Sequence, residues 1–360
     1  MDRRQFLSLP NFAEAAGHGL GFMSELVSDT SPPVAPESAW LRFRHGAMAT
    51  TFELILPFGT PEAFRLAEEV FACIDALEAQ LTVYRDDSEV SQLNRRAADE
   101  AVVVEESLFR LLQQALHWYR ETEGAFDCAV HPLLECWGFF RGPPRMPDAC
   151  ERQQALARSG SRWILLDEAQ RSVRFLRRGV AVNFGSIGKG YALDCAAAIL
   201  RQHGVCGLLH GGRSSVLAVG HPPGFPKGWC VAVRHPLDPT QHLTEVYLRD
   251  QALGTSAATF RFLEWAGRRL GHILDPRTGW PAGGLLSASA LAPAAAQADA
   301  LATAFFVLGT EKVRHFCQTH PDLAAILLPE GATNPVFLGW LERACGEPGS
   351  VSLESPVQSP

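Results

Sequence analysis

The sequence has no excess of positive charge, and this absence argues against one large class of functions. Its 360 residues carry 32 lysines and arginines against 39 aspartates and glutamates, which gives a formal net charge of -7. A protein that binds nucleic acid usually meets the phosphate backbone with a basic face. We therefore expect no nucleic-acid partner. A small anionic ligand stays compatible, because a bound Mg²⁺ can supply local positive charge.

The nine cysteines include no CxxC pair, so the usual paired-thiol motifs for zinc or redox chemistry are missing. They are scattered in mostly apolar surroundings, which is typical of buried free thiols and favours a reducing compartment. Cys128, His131 and Cys136 form a group that could suggest a metal site. A zinc site would need a second ligand pair, which the sequence lacks.

The N-terminal segment lacks the apolar core of an export signal, although it begins like one. Residues 3–7, RRQFL, resemble a twin-arginine signature. The stretch that follows is interrupted by proline, asparagine, glutamate and glycines, and its longest apolar run is too short to cross a bilayer. The periplasmic side of a bacterial inner membrane and the cytoplasm therefore both stay open as locations.

The composition is that of an ordinary globular protein, with 47% hydrophobic and 20% charged residues and no repeat period. Such a chain can bury a full core without disulfides. Prolines mark a linker that ends at residue 39, and serine, proline and glycine dominate the C-terminal end. We predict a signal-like segment and linker over 1–39, one folded domain over 40–345 and a disordered tail over 346–360.

Hydrophobic periodicity predicts helices and strands that do not follow a regular β–α–β alternation. The predicted helices are 61–81, 106–121, 189–203 and 295–308, the last two each followed by a glycine. The predicted strands are 50–56, 163–166, 173–175, 180–184, 207–210, 216–219, 229–233, 244–248 and 285–291. This mixture favours the α+β class.

The segment NFGSIGKGYALD, residues 183–194, predicts a phosphate site. A strand ends, glycines let the backbone approach a ligand, and a helix begins with Lys189 in its first turn. The segment is not a P-loop, because Asn183 stands at the first glycine position and Gly190 replaces the Ser or Thr after the lysine. Its glycine spacing also differs from the G-x-G-x-x-G pattern. A plain helix start with an exposed lysine is the alternative.

Asp299 and Thr303 are spaced to share one face of a helix rich in small residues. A carboxylate and a hydroxyl at this spacing suit a hard cation such as Mg²⁺ that keeps open positions for phosphate. The alternative is a buried aspartate that caps nearby backbone, with the threonine hydroxyl bonded back to a carbonyl.

His272 precedes the turn sequence DPRTG, residues 275–279. Histidine is the side chain best suited to take a proton from a hydroxyl near neutral pH. This position therefore favours a general base, with a structural histidine as the alternative.

Taken in order, these segments resemble the ApbE family of FAD:protein FMN transferases. The resemblance covers nearly all of 45–310 and rests on eight segments in the family's order. They are AMATTF, Tyr84 with DSEVSQLN, GAFDCAVHPLLECWGF, NFGSIGKGYALD, LLHGG, GTSAATF, GHILDPRTGWP and ADALATAFFVLG.

The resemblance implies an ApbE-like, T-fold-like arrangement of mixed sheets packed with helices in one compact, two-lobed domain. It also implies Mg²⁺-dependent transfer of FMN from FAD to a serine or threonine hydroxyl of an acceptor protein, with release of AMP. Subunits of membrane redox complexes are candidate acceptors.

The resemblance assigns roles to individual residues. Asp299, Thr303 and a backbone carbonyl near Ser186 would hold Mg²⁺ against the FAD pyrophosphate, with Lys189 near the flavin nucleotide. His272 would act as the general base, and Asp299 would be essential to catalysis. The remaining residues that would line the FAD pocket are Met48, Tyr84, Ala125, Phe126, Asp127 and Ile273.

Three positions depart from the family pattern. Asn183 and Arg213 stand where aspartate is common, and Ala257 stands where glycine is common. These departures keep open a non-catalytic FAD-binding protein of the same fold. A different phosphate-handling enzyme, such as a kinase, is a third hypothesis that the incomplete P-loop pattern disfavours.

Overall fold

The computed structural model describes residues 39–238, 240–258 and 261–341. The predicted tail and all but the last residue of the predicted signal-like segment lie outside this part. Its helices, α1 to α8, span Ala63–Leu81, Glu89–Arg96, Glu106–Glu121, His131–Cys136, Ala149–Arg158, Gly188–Gln202, Ala295–Leu308 and Thr310–Thr319. Its strands, β1 to β17, span Trp40–Ala47, Thr50–Pro57, Val102–Val103, Ile164–Asp167, Ser172–Phe175, Gly207–Gly211, Ser215–Val219, Trp229–Arg234, His242–Leu248, Ala252–Ala257, Phe262–Trp265, Arg268–Gly271, Leu274–Asp275, Trp280–Pro281, Leu285–Ala292, Ala324–Pro329 and Val336–Gly339.

A large antiparallel sheet is the centre of the fold. Its strand order is β1-β2-β6-β7-β10-β15-β16-β17, and each neighbouring pair is antiparallel. Smaller antiparallel sheets surround it, among them the hairpins β8–β9 and β11–β12. Antiparallel sheets packed with helices confirm the predicted α+β class.

Alternating side chains divide the two faces of this sheet between two cores. In β2, Leu54 and Leu56 point into the main core together with residues of α1, α6 and α7. Ile55, which lies between them, belongs to a second core that packs against the β8–β9 hairpin. The sheet is therefore covered by helices on one face and by a hairpin on the other.

Helix α7 lies unusually close to its neighbours because small residues face each other at the contacts. A Cβ atom on Gly190, in α6, would collide with the backbone of Ala295. A Cβ atom on Gly254, in β10, would collide with the backbone of Ala298. This close approach places the first turns of α7 directly beside the first turn of α6.

The predicted strand at 180–184 is wrong. The segment belongs to no sheet, because other partners satisfy its backbone groups. The Asn94 side chain accepts a hydrogen bond from the Val182 N–H at 2.8 Å and donates one to its carbonyl oxygen at 3.0 Å. The Asn183 N–H donates to the carbonyl oxygen of Cys128 at 2.8 Å. The other predicted strands and the four predicted helices are present, with boundaries shifted by two residues at most.

No disulfide joins the cysteines of the described ranges, and burial raises the pKa values of Cys128 and Cys136. The Cys128 Sγ lies 3.6 Å from the Ser161 Oγ, and burial raises the pKa of this thiol to about 12. Within those ranges no three His, Cys, Asp or Glu side chains cluster to hold a metal, so the Cys128 group finds no support as a metal site. Cys150 is exposed, which corrects the expectation of uniformly buried thiols.

Among the described helices, none combines the length and the apolar character needed to span a bilayer.

His210, in β6, is a buried histidine whose neutral form the fold favours. Its Nε2 atom finds no hydrogen-bond partner in the described part of the chain, and burial lowers its pKa to about 4. Between pH 6.5 and 4 the unfolded chain therefore binds a proton that the folded chain does not. Acidification over this range should cost the wild type about 3 kcal/mol of unfolding free energy that the His210→Gln variant does not lose.

Urea unfolding of both proteins across this pH range measures the difference. Burial raises the pKa values of Asp194 and Asp299 to about 6, so these groups make the unfolding free energy change with pH in the opposite direction. Both proteins contain them, so their contribution cancels in the comparison. Equal slopes for wild type and His210→Gln would contradict the assignment.

Candidate functional site

A cavity of about 650 Å³ opens where several connecting segments meet at one end of the strands of the large sheet. Its walls come from the β1–β2 turn, the turn before α6, the end of β10, the segment 272–276 and the face of α7. A smaller cavity of about 170 Å³ adjoins it and shares Met48, Tyr84, Asn183 and Lys189 with it. The volume lies in the usual range for small-molecule sites, and the second cavity extends the site lengthwise.

The structure brings nearly all of the predicted site residues to this cavity. Met48, Tyr84, Ala125, Asp127, Ser186, Lys189, His272, Ile273, Asp299 and Thr303 all line it. Phe126 is the exception, because its side chain is fully buried in the main core. The expectation that Phe126 lines the pocket is therefore corrected.

The carboxylate of Asp299 is held firmly at the cavity wall. The Gly190 N–H donates to its Oδ2 at 2.8 Å, and the Ser215 hydroxyl lies 2.7 and 2.9 Å from its two oxygens. Burial raises the pKa of Asp299 to about 6, and the Lys189 ammonium opposes this shift. The group is therefore mostly ionised at neutral pH and has a fixed orientation.

The hydroxyl of Thr303 lies one helical turn beyond Asp299 on the same cavity wall. It is 3.1 Å from the Ser256 Oγ and 3.3 Å from the Asp299 carbonyl oxygen. The bond back to the carbonyl is the arrangement that the alternative interpretation required. Both that bond and exposure to the cavity are present, so the threonine oxygen can still face a ligand.

These oxygens match the way proteins hold Mg²⁺ beside a phosphorylated substrate. Mg²⁺ is usually bound by one or two carboxylates, with substrate phosphate oxygens and water completing the coordination. Asp299 offers the carboxylate, and Thr303 and Ser256 offer hydroxyls. Because the described residues contain no cluster of three acidic, His or Cys side chains, a closed protein cage is not available there.

The first turn of α6, with the loop before it, brings a positive side chain to the same wall. Ser186 lies within this loop, and the Lys189 Nζ lies 3.5 Å from the Gly185 carbonyl oxygen. The Asn183 side-chain oxygen accepts the Gly185 N–H at 2.8 Å and thereby braces the loop. An amide oxygen can fill this role as a carboxylate would, so the departure at Asn183 leaves the loop intact.

His272 is oriented by a backbone carbonyl. Its Nδ1 lies 3.2 Å from the carbonyl oxygen of Arg261, and burial lowers its pKa below the ordinary value. A neutral imidazole that donates from Nδ1 keeps the lone pair of Nε2 free to accept a proton. The side chain therefore has the charge state and tautomer of a general base at neutral pH.

Aromatic rings form another part of the cavity wall. Tyr84 is 59% exposed and stacks on Phe140 with ring centroids 4.9 Å apart and planes 26° apart. The Arg141 guanidinium lies 5.0 Å from the centre of the Phe140 ring. An exposed ring in this position can stack on a flat heteroaromatic ligand.

Two non-glycine residues of the β1–β2 turn have left-handed backbone conformations. Met48 and Ala49 have φ values of 49° and 56°, and both line the cavity. This conformation matches a two-residue hairpin turn that normally contains asparagine or glycine. Keeping Met48 and Ala49 there costs on the order of 1 kcal/mol each, which is typical of strain held at a functional site.

Asp127 contributes to the cavity wall and not to its polar chemistry. Its carboxylate accepts hydrogen bonds from the Ala129 N–H and from both the N–H and the hydroxyl of Ser161, all between 2.6 and 3.1 Å. Its polar atoms are therefore committed to the neighbouring loop.

Sequence reasoning missed several polar residues of the site. Ser215, Ser256 and Arg261 come from three separate segments and meet Asp299, Thr303 and His272, respectively. The serines lie near recognised segments, but nothing in their spacing indicates which distant side chain they contact.

Comparison with known proteins places this chain in a defined group. The model of the ApbE family matches residues 48–327. A curated FAD:protein FMN transferase of Treponema pallidum (strain Nichols) is 34% identical over 283 residues, which are 74% of this chain and 78% of that protein. One of Klebsiella pneumoniae (strain 342) is 28% identical over 330 residues, which are 89% of this chain and 93% of the relative.

Solved structures give the same result for the fold. The ApbE protein of Thermotoga maritima aligns with a TM-score of 0.75 and 29% identity, covering 83% of this chain and 96% of that chain. The flavinyl transferase ApbE of Pseudomonas stutzeri, in its apo form, aligns with a TM-score of 0.73 and 27% identity, covering 83% and 94%.

Proposed function

This chain belongs to the ApbE family, and from that premise we propose that it is a transferase that flavinylates another protein. It splits FAD, attaches the FMN half to a serine or threonine hydroxyl of an acceptor protein and releases AMP. The observation that carries the proposal is the contact between α6 and α7. There the Gly190 N–H donates to the Asp299 carboxylate at 2.8 Å, beside Lys189 and within the cavity.

Asp299 and Thr303, together with a backbone carbonyl near Ser186, would hold Mg²⁺ in this enzyme. When bound, the ion would neutralise charge on the phosphate oxygens. Two features of this chain support the assignment. The Asp299 carboxylate is ionised and fixed by two donors, and the Thr303 hydroxyl lies on the same wall of the cavity.

The FAD pyrophosphate would lie against the first turn of α6. Lys189 supplies a positive charge there, and the helix N-terminus favours an anion. The rest of the FAD molecule would extend from there and place its flavin or its adenine against exposed Tyr84 and the second cavity. That cavity shares Met48 and Lys189 with the first. The adjoining volumes support a long, two-part ligand.

His272 would remove the proton from the acceptor hydroxyl. The proton passes to Nε2 as the hydroxyl oxygen forms a bond to the FMN-side phosphorus. The bond from that phosphorus to the bridging oxygen breaks, and AMP leaves with the bridging oxygen and its electron pair. The lowered pKa of His272 and its bond to the Arg261 carbonyl oxygen support this role.

The acceptor is a protein, and subunits of membrane redox complexes are the proposed class. The alternative function is FAD binding without transfer. This alternative is supported by Arg213, which stands where the family commonly has aspartate. Arg213 is exposed and lies two residues from Ser215, and Ser215 hydrogen-bonds Asp299.

Incubation with FAD, Mg²⁺ and a candidate acceptor separates these functions. We expect AMP release and a flavin that stays on the acceptor through denaturing electrophoresis, both abolished by EDTA. FAD binding without AMP release or covalent flavin would support the non-catalytic alternative. Turnover of ATP in the absence of FAD would support a different phosphate-handling enzyme.

A further inference from the structure

The β11–β12 hairpin is attached to the cavity at both of its ends. It is formed by Phe262–Trp265 and Arg268–Gly271, and it pairs with no other strand in the part of the chain that the structure describes. Arg261 immediately precedes the hairpin, His272 immediately follows it, and both line the cavity. A chain bound to this hairpin would therefore lie next to the candidate base.

One face of the hairpin anchors it to the protein. Leu263 and Leu270 are paired across the two strands and pack against a small core that contains Trp137 and Phe139. This packing fixes the hairpin beside the cavity. The opposite face, which carries Phe262 and Arg269, is not covered by this core.

The exposed residues of the hairpin are mostly basic or aromatic. The Arg269 guanidinium lies 4.7 Å from the centre of the Phe262 ring and 3.6 Å from a carboxylate oxygen of Glu264. Arg261 and Arg268 are exposed, and no carboxylate among the described residues forms an ion pair with either of them. Trp265 and Arg268 are paired next to the hairpin tip and alternate onto the same face as the two leucines. Trp265 is nevertheless 51% exposed there.

This local charge is opposite to that of the whole chain. Residues 261–271 contain three arginines and one glutamate, whereas the chain has a formal net charge of -7. Tryptophan and arginine are the residues that most often dominate the binding energy of protein interfaces. A charged surface of this kind also selects partners of the opposite sign and accelerates their association.

We propose that the β11–β12 hairpin docks the acceptor protein through an acidic segment that flanks the target hydroxyl. The free strand edges can pair with an extended segment, and the arginines meet its carboxylates. Docking there places the hydroxyl beside His272. The inference rests on the proposed function, because it names the surface that selects the acceptor for that reaction.

Two synthetic peptides test the docking surface directly. Each is fluorescently labelled and has one central threonine, flanked by aspartates and glutamates in the first peptide and by lysines in the second. Binding to the full chain, with FAD and Mg²⁺ present, is followed by fluorescence anisotropy at low and high salt. We expect the acidic peptide to bind at least about tenfold more tightly at low salt, with the preference shrinking as salt rises.

Matched variants assign the binding to the hairpin. The double variant Arg268→Glu/Arg269→Glu should weaken binding of the acidic peptide at least about tenfold, and Trp265→Ala should weaken it at both salt concentrations. Arg120→Glu/Arg174→Glu makes the same change in charge at exposed residues that do not line the cavity, and it should bind like the wild type. FAD affinity, followed by flavin fluorescence, should not change in any of these variants.

The outcomes separate this inference from the proposed function. Equal binding of the two peptides, equal loss in the control variant, or tighter binding to anionic vesicles than to the acidic peptide would overturn the docking inference. With a flavinylated acceptor, the hairpin variants should raise KM and leave kcat unchanged, whereas a fall in kcat alone would also overturn it. If the wild type releases no AMP from FAD with any acceptor, the proposed function fails, whatever the peptides show.

Discussion

Replacement of Asp299 by asparagine is expected to lower the rate of FMN transfer by about 10³-fold or more. The substitution keeps the size of the side chain but removes the negative charge that the cavity would offer to Mg²⁺. It also leaves the Gly190 N–H and the Ser215 hydroxyl with a neutral partner in place of a carboxylate. The phosphate charge would then be poorly neutralised during transfer.

AMP release and in-gel flavin fluorescence measure this loss. Asp322→Asn makes the same chemical change at an exposed loop position and should retain wild-type activity. Binding of Mn²⁺, followed by electron paramagnetic resonance, should weaken in Asp299→Asn and not in the control. A variant that flavinylates its acceptor at the wild-type rate would remove Asp299 from the mechanism.

The second large effect is expected for His272→Ala, which should slow transfer by about 10²- to 10⁴-fold while FAD still binds. Burial lowers the pKa of His272, so the wild-type imidazole is neutral, and therefore basic, throughout the neutral range. As the pH falls through this lowered pKa, the wild type should lose activity. The acid limb that this proton produces should be absent from the rate profile of the variant.

Single-turnover rates across the acid range and flavin fluorescence titrations separate the two roles of this histidine. His203→Ala, at a partly exposed position paired with Glu69, is the matched control and should behave as the wild type. If His272→Ala abolishes FAD binding, the imidazole serves to bind FAD as a pocket-lining residue and is not the general base. Retention of the wild-type acid limb in the variant would likewise exclude it as the base.

The large elements of the fold could be predicted because their sequence patterns match their structure. Helices 106–121 and 295–308 have the predicted bounds. Apolar residues at helical spacing mark the first, and a glycine directly after residue 308 marks the end of the second, and both are local signals. Strand 180–184 failed for a physical reason. Its residues suit a strand, but the Asn94 side chain and the Cys128 carbonyl oxygen take the hydrogen bonds that a neighbouring strand would have made.

Parts of the fold that the pattern did not predict are short or lie at an edge. Strand β1 alternates as an edge strand should, but no strand is predicted there from the sequence. The β11–β12 hairpin carries arginines, an exposed tryptophan and a non-glycine residue, Ala266, with φ of 49° at its turn. Its conformation depends on packing against Trp137 and Phe139, which lie far away in the sequence.

The family, the α+β class and the placement of Asp299 and Thr303 on one helix face could be read from the amino-acid sequence, because helical spacing and ordered motifs are local properties of the chain. The contacts of the Asp299 carboxylate with the Gly190 N–H and the Ser215 hydroxyl appear only in the folded protein. The same holds for the burial of Phe126 in the core and for the position of the basic hairpin beside the cavity. These contacts join segments that are far apart in the chain, and side-chain packing selects them once the sheet has formed.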